Sequence, residues 1–169
     1  MNLKKVITDS VTYTNWVHQK YMEWLSKKPE ELLNKEVPSS YNSIIKTLNH
    51  ILSTQEYWWS IINESSEFVP RQNNAYLNKK EIFYALDKNS KKVQAYIASL
   101  SEKELQRKVR IKTEWFSCSF SKYDYIQHLV IHSTYHRGQI VTIGRNIGIT
   151  DAPMTDSNFW NIYKENEAG

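Results

Sequence analysis

Apolar residues recur along most of this chain at intervals of three and four, the spacing that gathers side chains on one side of an α-helix. Between Asp9 and Leu25 the face is made by Val11, Trp16, Val17, Tyr21, Trp24 and Leu25. Lys27 and Lys28 suit the C-terminal end of such a helix, and Pro29 makes its continuation costly. A connection follows to Ser40, with a helical turn at Glu30 to Asn34. Pro38-Ser39-Ser40 then offers a cap for a second helix from Asn42 to Ile62. Its apolar set, from Ile44, Ile45 and Leu48 to Trp58, Trp59, Ile61 and Ile62, is broad enough for a helix inside a bundle. The stretch from Glu64 to Asn78 is polar, holds Pro70 and reads as a loop. A third helix is predicted from the cap Asn78 to Leu100, through Ile82, Phe83, Leu86, Val93, Tyr96 and Ile97.

The period then changes. Val109, Ile111, Thr113 and Trp115, followed by Phe116, Cys118 and Phe120, approximate an alternation of two, in β-favouring residues. A short hairpin or extended crossover is expected here. Ser121 caps a last long helix from Tyr123 to Ile147, with Asp124 in its first turn and Leu129, Val130, Ile140, Val141, Ile143 and Ile147 as apolar contacts. Gly138 and Gly144 lie inside that helix at a cost of about 1 kcal/mol each relative to alanine, so Gly138 suggests a close approach of backbone or ligand. Gly148 suits its end, and Ser157 to Glu165 predicts a short terminal helix. These elements predict an all-α fold, a four-helix bundle with a short extended or hairpin segment before the last long helix. With no internal repeat or low-complexity tract, residues 1–169 read as a single domain.

Composition supports long helices. Four glycines and four prolines in 169 residues are too few for an all-β sandwich, while aromatic residues at 13% promise an aromatic core or cleft wall. The formal charge is +4, but its signs alternate, and Lys79-Lys80 and Lys91-Lys92 are short clusters. Without a helix rich in Arg, Asn or Gln, no nucleic-acid partner is expected. The one cysteine, Cys118, excludes an intrachain disulfide and suits a reducing compartment. The first residues lack the apolar core of a signal peptide, and no run of 18 apolar residues exists, so no membrane association and a cytoplasmic location are expected.

Candidate chemistry concentrates in His128-Leu-Val-Ile-His132-Ser-Thr-Tyr-His136-Arg-Gly-Gln139, which holds three of the five histidines. A step of four residues turns a helix by only about 40°, so His132 and His136 stand one turn apart on one face. Neutral imidazoles there could share a zinc, nickel, iron or copper ion. Any two of the three would satisfy the spacing, but His128 lies about 80° from His136, so it reads as a supporting or boundary residue. The third ligand must come from elsewhere. His50 lies beside the apolar stripe of the second helix and is the leading choice, although alone it would read as a core histidine. His18 sits by itself on the first helix and reads as structural. Gln139, Asn49 and Tyr135 could orient the ligand rings. Ser133 follows His132 where zincin proteases carry their general-base glutamate, which excludes that class.

The stretch from His128 to Gln139 resembles the last-helix signature of the DinB (damage-inducible) family, and Thr47-Leu-Asn-His50-Ile-Leu52 resembles its isolated histidine motif. The resemblance covers nearly the whole chain. It implies a four-helix bundle of up-down-down-up type, a divalent metal (zinc, nickel or iron) on His50, His132 and His136, and a homodimer. Relatives include metal-dependent transferases and an isomerase that use low-molecular-weight thiols such as bacillithiol or mycothiol. An enzyme of hydrolase or thiol-transferase type, acting on a small-molecule substrate that the sequence does not name, is the expected function. A non-catalytic metal- or ligand-binding bundle, or a dimerisation module, is the alternative.

Overall fold

The computed structural model describes residues 2–65, 76–114 and 116–167. The body of the loop expected between Glu64 and Asn78, with Pro70, lies outside the described residues, as does Trp115. The chain is mostly helical. Among the described residues, α1 (Leu3–Ser26), α2 (Glu30–Asn34), α3 (Ile44–Ile62), α4 (Lys79–Ser99), α5 (Glu102–Gln106), α6 (Lys122–Asn146) and α7 (Ser157–Glu167) accompany one antiparallel sheet, β1 (Lys108–Lys112) with β2 (Ser117–Ser121). No helix is long and apolar enough to cross a membrane.

Local chemistry sets the boundaries. The first helix starts at Leu3, ahead of the expected Asp9, because the Asn2 side chain accepts from the Lys5 amide and caps it. For α3 the cap is Ser43, with its hydroxyl bonded to the Lys46 amide, and not the Pro38-Ser39-Ser40 run. Asn78 and Glu81 close α4 with a reciprocal capping box. The short α5, capped by Ser101, was not expected from periodicity.

Four helices exchange most contacts: α3 packs on α6 and α4, and α1 on α4 and α6. One buried cluster joins Val17, Leu25, Leu48, Leu52, Ile82, Leu86, Ile140 and Ile143 from all four. A second joins Val11, Ile62, Val93, Ile97, Ile126 and Leu129 to Val109 and Ile111 of β1. Each fully buried aliphatic side chain contributes about 1.5–3 kcal/mol, so these clusters fix the register of α3 against α6.

The hairpin runs directly into α6. Val109 pairs with Phe120 and Ile111 with Cys118, and β1 turns Val109 and Ile111 inward. Phe116, just before β2, and Phe120 on it stay exposed, while Cys118 and Ser121 are half-buried. The Tyr125 hydroxyl donates to the Val109 carbonyl at 2.9 Å and accepts from the Phe120 amide at 3.2 Å, which ties the sheet to α6. Lys122, only 2% exposed, lies 3.0 Å from Glu64 and 3.7 Å from Glu104, and Arg107 bonds both carboxylates. The Arg107 hydrogen bond holds the Glu64 carboxyl down to about 2. Glu64 has φ of 57°, a left-handed conformation uncommon outside glycine, and its two cations offset that cost. Near the other end of α6, Gly148 takes φ of 88°. The close approach expected beside Gly138 occurs instead at Gly144, where an added Cβ would meet the Ile149 carbonyl at 3.4 Å; among the described residues nothing comes within 4 Å of one at Gly138.

Candidate metal centre

Packing of α3 against α6 is what assembles the site. Thr47, Leu48, Ile51 and Leu52 bury α3, and Ser133, His136, Arg137 and Ile140 bury α6. His50 is carried beside the first face, with His132 and His136 beside the second. The ligand nitrogens of His50, His132 and His136 all lie within 4.8 Å of one another. His132 is central: its Nε2 is 3.1 Å from Nε2 of His50 and 3.0 Å from Nε2 of His136. Two nitrogens bound tetrahedrally at about 2.0–2.1 Å from one zinc ion are about 3.3 Å apart, so an outward shift of a few tenths of an ångström would fit an ion between them.

Burial keeps two of the three rings uncharged. Burial, followed by the charge His136 would carry, pulls both His50 and His132 down to about 4. Both rings are therefore neutral near pH 7, the form that ligates metal. The Gln139 Oε1 lies 2.7 Å from His136 Nδ1, so the Nδ1–H donates, and the neutral tautomer that this bond selects presents its Nε2 lone pair to the other rings. Nitrogens that converge with lone pairs inward repel unless a proton or a metal ion lies between them. Among the described residues no carboxylate or thiol joins the group. A metal ion held here would meet an all-imidazole donor set, three ligands with a coordination position left for an exogenous molecule.

The remaining sequence candidates separate. His128 is exposed, rests on the Trp58 ring at 4.7 Å and stays outside the triangle, with its ring 5.8 Å from that of His132. Gln139 does hold one ring of the group, through its bond to His136. Asn49 does not: its side chain is buried and bonds the Ile45 carbonyl and both backbone groups of Leu77, tying α3 to the segment before α4. Tyr135 is not a core residue: it is 63% exposed and sets its ring edge-on to His136 at 5.0 Å. Ser133, in place of a zincin glutamate, is buried in the helix packing. Replacing Gln139 by leucine should weaken metal binding by about 10- to 100-fold, because the His136 tautomer is no longer fixed. A competition titration with a chromogenic chelator measures this, and unchanged affinity would contradict the role given to Gln139.

His18 is a different matter. It is 5% exposed, with Nδ1 3.2 Å from the Ser90 hydroxyl and Nε2 3.4 Å from the Arg137 guanidinium. Arg137, also buried, donates to the Thr134 hydroxyl at 2.8 Å, and burial draws its pKa down to about 10. Sequence reading left the His18–Arg137 pair unseen, since nothing in one histidine on one helix announces an arginine 119 residues later. Tyr41, whose ring stacks on His50, was also missed, because it lies in a serine-rich connection with no periodicity.

A model of the DinB family matches residues 1–167. The chain belongs to the DinB family. It is also similar to Protein DinB of Bacillus subtilis (strain 168), at 27% identity over 149 residues, which is 83% of this chain and 86% of that relative. The family match runs through both His50 on α3 and the pair on α6, the three residues that the fold brings together.

Proposed function

We propose that this DinB-family chain is a metal-dependent enzyme in which His50, His132 and His136 hold one divalent ion, zinc, nickel or iron, in a single four-helix-bundle domain of up-down-down-up type. The observation that carries the reading is the convergence of three imidazoles with Nε2 atoms 3.0 and 3.1 Å apart. The exchange of contacts among α1, α3, α4 and α6 supports the bundle. When bound, such an ion acts as a Lewis acid that lowers the pKa of a coordinated water or small thiol, giving a hydrolase or a thiol S-transferase. The chain's own residues would supply the rest: Gln139 fixes the His136 tautomer, and burial holds His50 and His132 deprotonated. The substrate is a small molecule and the active form a homodimer in this reading, with neither a nucleic-acid nor a membrane partner and a cytoplasmic location.

One observation favours a second reading. With no carboxylate in the group among the described residues, no side chain there stands out as a general base, as suits a bundle that binds metal or a ligand without turnover. Elemental analysis of purified protein, followed by a screen of metal-loaded protein against thiols and electrophiles, separates the two. Stoichiometric metal and turnover that vanishes in His136→Ala support the enzyme. Metal without turnover supports the metal-binding protein, and absence of stoichiometric metal overturns the enzyme and leaves only a bundle that binds a ligand.

A further inference from the structure

A histidine that ligates a metal normally donates its second ring N–H to a carboxylate, a carbonyl or water, and that bond sets the plane of the ring. His136 conforms through Gln139. His50 does not: its Nε2 faces His132, and no hydrogen bond to its Nδ1 is formed among the described residues. What holds the His50 ring is a face. The Tyr41 ring lies against it with centroids 3.9 Å apart and planes only 18° from parallel, and the same phenol meets His136 edge-on at 5.6 Å.

Tyr41 is itself firmly placed. It sits in the connection between α2 and α3, where the buried Thr47 hydroxyl lies 3.3 Å from the Tyr41 carbonyl and 2.8 Å from that of Ser43. The Val37 amide donates to the Asn42 carbonyl at 2.8 Å. Lys46 bonds the side chains of Glu36 at 2.5 Å and Asn42 at 2.9 Å. A segment without helical or strand pairing is therefore pinned on both sides of Tyr41.

We infer that Tyr41 is a positioning residue of the metal centre, its ring face doing for His50 what the Gln139 hydrogen bond does for His136. This rests on the metal reading above and adds to it a residue outside the histidine motifs. The physical basis is orientation: an imidazole free to rotate about its side-chain bonds spends only part of its time aimed at the ion, and a stacked ring removes that freedom. A metal-bound imidazole is also poorer in electrons, which strengthens its contact with the electron-rich phenol face. The hydroxyl plays no part in this argument, so phenylalanine should serve in its place.

The test uses the full chain loaded with Co²⁺, whose absorption reports ligand geometry. Wild type and Tyr41→Phe should bind Co²⁺ with affinities within about twofold and with the same spectrum. Tyr41→Leu should bind about tenfold more weakly, with an altered spectrum, at an unchanged melting temperature of the metal-free protein. In the metal-free protein, the His50 ring-proton resonances should lie upfield in wild type and Tyr41→Phe and move downfield in Tyr41→Leu. If Tyr41→Leu matches wild type in affinity and spectrum, the inference is overturned while the metal reading stands. If Tyr41→Phe fails as badly as Tyr41→Leu, the hydroxyl is the active group and ring stacking is overturned as the cause. Failure of wild type itself to bind Co²⁺ overturns the metal reading, and with it this role for Tyr41.

Discussion

Replacing His132 by alanine should strip stoichiometric metal from the purified protein and weaken Co²⁺ or Zn²⁺ affinity by more than the roughly 100-fold that loss of a supporting partner costs. The expectation follows from position. His132 Nε2 is the nitrogen in contact with both others, at 3.1 Å from His50 and 3.0 Å from His136, so its removal leaves two imidazoles on separate helices. His128→Ala is the matched control, since it removes an imidazole one turn earlier on α6 that lies outside the triangle, and it should leave affinity unchanged. Both side chains are partly solvated, so neither change should unfold the chain, and circular dichroism melts verify that. The pH dependence carries the same logic. Protons displace metal only by charging the ligand rings, and His50 and His132 are depressed to about 4. His50 and His132 should therefore cost the site no affinity through proton competition as pH is lowered from 7 to about 5, and should begin to do so near 4. An affinity loss shared equally by His128→Ala would be inconsistent with this centre.

Much of this arrangement was legible because the helices carry strong periodic faces. The run from Ser121 to Ile147 declared a cap, an apolar stripe and the His132–His136 pair, and the alternating stretch before it declared the hairpin. What periodicity does not encode is which faces meet. His18 and His50 are both isolated histidines among apolar residues, with little locally to distinguish them. Packing alone sends one against Arg137 and the other against His132. Asn49 shows the same limit from the other side: adjacent to His50 in sequence, it points one helical step away and serves the backbone of Leu77. Tyr41 was invisible for a stronger reason. It belongs to no regular element, and its placement depends on Thr47, Lys46 and Glu36 acting together through bonds that no spacing rule describes.

The other large effect expected is acid destabilisation through His18. Burial, and then the Arg137 charge, lower this imidazole from 6.5 to about 3. In the unfolded chain it titrates near 6.5, so between those two values the unfolded state holds a proton that the folded state refuses. Folding stability contributed by the neutral ring is fully present above about pH 6.5 and declines as pH falls towards 3. The total is on the order of 5 kcal/mol, a large part of the about 5–15 kcal/mol that holds a typical domain together. The geometry explains why the ring cannot adapt. Its Nε2 accepts from the Arg137 guanidinium, so a proton there would break that hydrogen bond and set two cations side by side in the core. Urea unfolding of the metal-free protein at successive pH values from 7 to 4 measures the slope. His50 and His132 contribute in the same direction, but they are half-buried and solvent blunts their share. His18→Gln keeps a carbonyl acceptor near the Nε2 position for Arg137 and has nothing to titrate, so its slope should be shallower by up to about 1.4 kcal/mol per pH unit, even where the variant is less stable at pH 7. An identical slope in both proteins would mean that His18 takes up its proton in the folded state, and that the Arg137 contact does not keep it neutral.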